Sequence, residues 1–176
     1  MIFIFPTSQE AELFVVSSPT SKVVISGVGM AACGGVVARV AAQHPGEFII
    51  LAGIAGGYDL DKTPLAAVVE VVEEMIEELP QRYRRSYKNN HHFSDLRGVQ
   101  SNSVSSSGHS STTSQIENME GAALFAVCQE LGVECAQLRA ISNRVGDPIT
   151  EWKISEALEA LTAKLLEISS NDKSCD

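Results

Sequence analysis

The chain has 176 residues, 44% apolar and 20% charged, with a formal net charge of −9. That length and balance suit one soluble domain with a single core. Its thirteen basic residues are scattered, and the densest group, Tyr83-Arg84-Arg85 with Lys88, is too small for a nucleic-acid footprint, so nucleic-acid binding is set aside.

Residues 1–5 form a short apolar run ended by Pro6, a buried-strand signal. Thr7 or Ser8 can cap a helix carrying Glu10 and Glu12. Residues 22–26 read as a second strand that runs into Gly27-Val28-Gly29, and residues 30–43 have a helical, small-residue pattern. A third strand at 48–52 leads into Gly53-Ile54-Ala55-Gly56-Gly57, and a fourth covers 66–72. Strands without alternation, separated by helices, imply a parallel sheet covered on both faces.

Residues 73–90 are rich in charge and 91–113 are polar. Eight serines and two threonines fall within 101–114. Composition reads this as a flexible linker, while Val99, Asn102 and Val104 allow a thin strand leading to a mobile loop. Residues 120–131 read as a helix and 135–142 as another buried strand. A closing amphipathic helix over 152–168 has Ile154, Ala157, Leu158, Leu161 and Leu165 at helical spacing. The domain is expected over 1–168, with a polar loop region at about 85–115 and a frayed polar tail at 169–176.

Four cysteines occur, Cys33, Cys128, Cys135 and Cys175, with no Cys-x-x-Cys pair and no histidine at ligand spacing. That argues against zinc, and Cys33 and Cys128 read as core residues. No basic leader and no long apolar run occur, so the expected place is a reducing cytoplasm, with no membrane contact.

Several segments can carry chemistry. Gly27-Val28-Gly29, between a strand and a helix, offers backbone N–H groups that suit an anion or a sugar hydroxyl, with Gly29 the candidate contact. A dinucleotide fingerprint fails, because the third glycine comes at Gly34 and no acid closes the next strand; on the glycines alone a tight turn is the better reading. The small residues around Ala55 and Gly56 let a ligand approach the backbone, or let a helix pack close. Glu120 opens an otherwise apolar helix, where a carboxylate gains from the helix dipole and can accept from two adjacent hydroxyls. Ser142-Asn143 ends a buried strand, where open parallel sheets bind ligands; a carboxamide there can meet a purine's N7 and 6-oxo group, or simply begin a turn. His91, His92 and His109 have no nucleophile elbow around them and read as solvated loop residues.

Together these pieces resemble the nucleoside phosphorylase and nucleosidase superfamily. The segment Ile116-Glu117-Asn118-Met119-Glu120-Gly121-Ala122-Ala123 resembles its Met-Glu-Gly/Ala-Ala helix start. Arg139-Ala140-Ile141-Ser142-Asn143 resembles its Arg-Ala-Ile-Ser-Asp/Asn strand end. Thr7-Ser8-Gln9-Glu10, Asn143 and Trp152-Lys153-Ile154 are most similar to the futalosine hydrolase branch. The resemblance implies a single-domain, three-layer α/β/α sandwich with a mostly parallel, mixed central sheet. It implies hydrolysis of the N-glycosidic bond of a purine nucleoside, here futalosine of menaquinone biosynthesis, with release of hypoxanthine. Alternatives are a purine nucleoside phosphorylase, a methylthioadenosine/adenosylhomocysteine nucleosidase, or a nucleoside-binding homologue without turnover.

By the same resemblance, Glu10 (or Glu12, if the helical phase differs) activates the attacking water. Met119 and Glu120 hold the ribose, with Asn118, Gly29, Ala55 and Gly56 also around the nucleoside. Asn143 stabilises the leaving base and Ser142 orients Asn143. No cofactor or metal is needed, and a homo-oligomer is implied. No arginine precedes Arg39 and none adjoins 53–57, which favours water over phosphate as nucleophile. The chain is short for the family and lacks a hairpin-sized segment between Phe14 and Lys22.

Overall fold

A computed structural model describes residues 1–111 and 113–172. The elements in chain order are β1 (Ile2–Phe5), α1 (Ser8–Ser17), β2 (Lys22–Ile25), α2 (Met30–Gln43), β3 (Ile49–Gly57), β4 (Val68–Met75), β5 (Tyr87–Lys88), β6 (Arg97–Ser103), β7 (Ile116–Asn118), α3 (Gly121–Leu131), β8 (Cys135–Arg144) and α4 (Ile154–Asp172). Short 3-10 turns lie at Gln81–Tyr83 and Ile149–Glu151.

β2, β1 and β3 lie side by side and parallel. β3 is parallel to β8, β8 antiparallel to β4, β4 parallel to β6, and β6 parallel to β7. β7 then returns antiparallel to Gly56 and Gly57 of β3. The α/β architecture with a mixed sheet agrees with expectation, but β3, β8, β4, β6 and β7 close into a ring instead of lying as a simple open layer. The cause is the unequal length of neighbours. β1 covers β3 only from Ile49 to Leu51, so the far end of that edge is free to accept β7.

Two cores flank β1, β3 and β8. Ile2 and Ile4 join Cys33, Val37 and Val40 of α2 and Leu124, Phe125 and Cys128 of α3. Phe3 and Phe5 join Phe14 of α1 and Leu158, Leu161 and Leu165 of α4. The Phe14 ring stands 4.7 Å from Phe3 and 5.9 Å from Phe5. Burial on both faces is why β1 shows no alternation of apolar and polar residues.

The fourth strand runs three residues beyond its expected end, and β5 was not foreseen. The closing helix continues through 169–172, which corrects part of the expected frayed tail; the rest of that tail, with Cys175, lies outside the described residues. Cys33, Cys128 and Cys135 are buried free thiols. No helix among the described residues is long and apolar enough to cross a membrane.

The serine-rich segment is neither linker nor free loop. β6 buries Ser101, Asn102 and Ser103, as the thin-strand reading anticipated. Beyond it, carboxylates from distant segments hold the hydroxyls. Ser105 donates its N–H and Oγ to Glu78 at 2.9 and 2.7 Å, and Ser111, Thr113 and Ser114 all donate to Glu77. Ser107 Oγ and Gly108 N donate to Glu117 Oε1 at 2.9 and 2.8 Å.

Candidate active site

A cavity of about 390 Å³ opens where α1, β3, β7 and β8 meet. Glu10, Ala55, Gly56, Asn118, Met119, Glu120, Ser142 and Asn143 all line it, so eight of the nine residues named from sequence come together. The ninth, Gly29, stands behind Glu120.

Glu10 is placed by the start of α1. Thr7 caps that helix by accepting the Glu10 N–H at 3.1 Å, and its hydroxyl donates to Glu10 Oε2 at 2.7 Å. Ile54 N donates to Glu10 Oε1 at 3.0 Å. Burial raises the Glu10 pKa above its ordinary value, against the lowering effect of the Thr7 and Ile54 hydrogen bonds and of Arg139. Glu12 is exposed, so the structure favours Glu10 as the carboxylate that faces the cavity.

Glu120 sits at the N-cap of α3. Its Oε1 accepts the Gly29 N–H and its Oε2 accepts Arg139 Nη2, each at 3.0 Å. Gly29 has φ 94°, a left-handed conformation open to glycine at little cost, and this aims its N–H at Glu120. Gly29 is not among the residues lining the cavity: its N–H is given to Glu120, and Val28 reaches the cavity beside it. Arg139 Nη2 also donates to Asn118 Oδ1 at 2.9 Å, and Nη1 to Ile54 O at 3.3 Å.

Asn118 organises this corner. Its Oδ1 accepts the N–H groups of Glu120 and Gly121 at 2.9 and 2.7 Å, so it satisfies the first amides of α3. Ser103 Oγ accepts the next, from Ala122, at 2.8 Å. The Asn118 amide nitrogen donates to Ser101 Oγ and to Glu74. Glu74 is fully buried and also accepts from Ser103 Oγ at 2.9 Å and Gln137 Nε2 at 3.0 Å. Desolvation raises its pKa to about 7, although these donors and Arg139 pull it down.

At the other end of the cavity, the β3–β8 register shifts between Ala55 and Gly56, so Ala55 pairs with Ile141 and Gly56 with Asn143. Ser142 is the extra residue of a bulge. Consecutive Ser142 and Asn143 can therefore both line the cavity. Ser142 Oγ donates to Asn143 Oδ1 at 2.8 Å, and Asn143 Nδ2 donates to Arg144 O at 2.8 Å. The carboxamide keeps one N–H and one acceptor position for a ligand.

Sequence reasoning missed Glu74 and Glu117, because both lie among residues that read as surface charge or strand polar positions. It read 135–142 as a buried strand but gave Arg139 no role; an arginine inside an apolar strand was the available signal. Arg139 is the one lysine or arginine lining the cavity among the described residues. Of the histidines, His91 is packed rather than solvated, its ring 4.5 Å from Phe48 and 4.8 Å from Phe93, with Nδ1 2.8 Å from Glu134. No histidine lines the cavity among the described residues.

Residues 101–170 match the family model of the phosphorylase superfamily, a span that contains both late segments on which the resemblance rested. Over 47 residues the chain is 51% identical to futalosine hydrolase from Thermus thermophilus, a match that spans 26% of this chain and only 21% of that protein. Its fold is similar to that of 5′-methylthioadenosine/S-adenosylhomocysteine nucleosidase from Helicobacter pylori, with a TM-score of 0.83, 12% identity and 97% of each chain covered. It is also similar to a futalosine hydrolase mutant of Helicobacter pylori, with a TM-score of 0.76, 14% identity, and 93% of this chain and 96% of that one covered. At these identities the two structures share the fold with this chain.

Proposed function

We propose that this protein, with its phosphorylase-superfamily pattern, is a nucleosidase that hydrolyses the N-glycosidic bond of a 6-oxopurine nucleoside, futalosine being the first candidate. One observation carries the reading. A buried carboxylate with a raised pKa (Glu10), a second carboxylate held in place (Glu120) and a free carboxamide edge (Asn143) face one cavity. Glu10, ionised, takes a proton from water as the C1′–N9 bond breaks. Glu120 retains lone pairs beyond the two it gives to Gly29 and Arg139, and these accept the ribose 2′- and 3′-hydroxyls above Met119. Asn143, oriented by Ser142, donates to the base as negative charge builds on it.

Water is the nucleophile in this reading. Phosphate would need a free cation, and Arg139 is already committed to Glu120, Asn118 and the Ile54 carbonyl. The test is to follow free base from futalosine, inosine and methylthioadenosine, with and without phosphate. Base release from the 6-oxopurines without phosphate is expected. Release only with phosphate makes it a phosphorylase, and preference for methylthioadenosine removes the 6-oxopurine assignment. Thermal stabilisation by nucleosides without any product leaves a binding protein.

Val28 and Ile149 stand at the mouth of this cavity, 52% and 68% exposed. A homo-oligomer that covers them fits the same reading, and a monomer by analytical ultracentrifugation would remove that part of it.

A further inference from the structure

Two glycines of β3 lie against polar groups of the site. A Cβ built on Gly53 would lie 2.6 Å from Arg139 Nη1 and 2.8 Å from Glu10 Oε1. One built on Gly56 would lie 3.1 Å from Asn143 Nδ2 and 3.5 Å from Glu117 Cγ. Glu10 and Arg139 thus gather beside Gly53, and Asn143 and Glu117 beside Gly56. Glu117 also lines the cavity and is 3% exposed.

The donors around Glu117 are unevenly shared. Its Oε1 receives two, Ser107 Oγ and Gly108 N. Its Oε2 receives one, the Tyr58 hydroxyl, at 3.2 Å. Tyr58 is itself fixed by Asn102 Nδ2 at 3.3 Å. No lysine, arginine or histidine forms an ion pair with Glu117 among the described residues. A buried carboxylate oxygen with an unused acceptor position favours a donor from whatever fills the space before it.

We propose that Glu117 is a specificity-determining residue that accepts the N1–H of a 6-oxopurine, beside the base contact made by Asn143. This rests on the nucleosidase reading for the presence of a purine in the cavity. A 6-oxopurine presents a donor at N1 and an acceptor at O6. A 6-aminopurine reverses both, so its bare N1 would face the carboxylate oxygen with no proton between them. Selection acts through that mismatch, because a site built around a hydrogen bond leaves a buried polar group unpaired when the partner is wrong.

The test measures binding of free hypoxanthine and free adenine by calorimetry, to wild type and to Glu117→Gln. Wild type is expected to prefer hypoxanthine by at least about tenfold, and Glu117→Gln, whose amide can also donate, to narrow that preference by about tenfold. An unchanged ratio in a folded variant overturns the proposal and leaves Glu117 as an anchor for the Ser107 loop. If the variant does not fold, wild type is tested with 1-methylhypoxanthine. Binding about tenfold weaker than hypoxanthine supports the proposal, and equal binding overturns it. Base selectivity without hydrolysis of any nucleoside retains the role of Glu117 and discards the hydrolase reading.

Discussion

Arg139 Nη2 lies 3.0 Å from Glu120 Oε2, and both side chains are almost completely removed from solvent. Removing one partner of such a pair leaves a buried charge uncompensated, at a cost of about 3–5 kcal/mol. Glu120→Ala should therefore lose stability as well as activity. Adding Arg139→Met to Glu120→Ala should recover part of that stability, without turnover, in urea denaturation. A double variant no more stable than Glu120→Ala would show that the stranded guanidinium is not the cause.

Glu10 gives a pH signature. Its raised pKa means that the base form is lost as pH falls, at a pH above the ordinary 4.5. The acid limb of kcat/KM should titrate above that value. Glu10→Gln should abolish turnover while nucleoside binding, read by calorimetry, stays within about threefold. The stability sign is opposite. A folded pKa above the unfolded value gives a contribution that is full below the unfolded pKa and is lost as pH rises through the folded one.

Glycine 53 is a steric keyhole. Gly53→Ala places a methyl against Arg139 and Glu10, so both must move. Displacement of about 1 Å can cost about 100-fold in turnover, whereas overpacking costs about 1–3 kcal/mol of stability. Gly35→Ala is the control, because it meets nothing within 4 Å on α2 and should be neutral or stabilising by about 0.5–1 kcal/mol. Equal turnover by the two variants would remove the proposed placement of Glu10.

At Asn143, an introduced carboxyl would face the Arg144 carbonyl that the amide now satisfies. Two acceptors in contact favour a retained proton. Asn143→Asp should therefore move preference toward adenine nucleosides, whose N7 can take that proton. Unchanged relative kcat/KM for inosine and adenosine would count against the role of Asn143.

Glu74 links the fold to pH. Its pKa of about 7 lies above the ordinary 4.5, so the folded state holds the proton more tightly. Stability should be full below about pH 4.5 and fall as pH rises to about 7, by roughly 3 kcal/mol. Glu74→Gln should flatten that slope in denaturation curves measured from pH 5 to 8. An undiminished slope would assign it to other groups.

The parts of the site legible in sequence are those where local pattern and position coincide. Met119-Glu120-Gly121 opens a helix, Ser142-Asn143 ends a strand, and Thr7 caps the turn that presents Glu10. The ring was not legible, because the return of β7 to Gly56 and Gly57 depends on how far β1 covers its neighbour, which periodicity does not encode. Glu74 and Glu117 were hidden for a related reason. In sequence each resembles a solvated acid, and only the closed sheet turns them inward. The serines of 101–114 looked like linker because Glu77 and Glu78, which hold several of them, lie far away along the chain.

Ser142 has no opposite number on β3, and this makes part of the site a matter of counting. Side chains on a strand alternate, so every residue beyond Ser142 is displaced by one step from the phase of those before it. What Asn143 faces is therefore set by chain length as much as by chemistry. A lineage could keep the arginine and the asparagine of this strand, lose the single residue between Ile141 and Asn143, and present the carboxamide to the opposite face. A deletion at that point would remove the base contact of Asn143 without changing the asparagine itself.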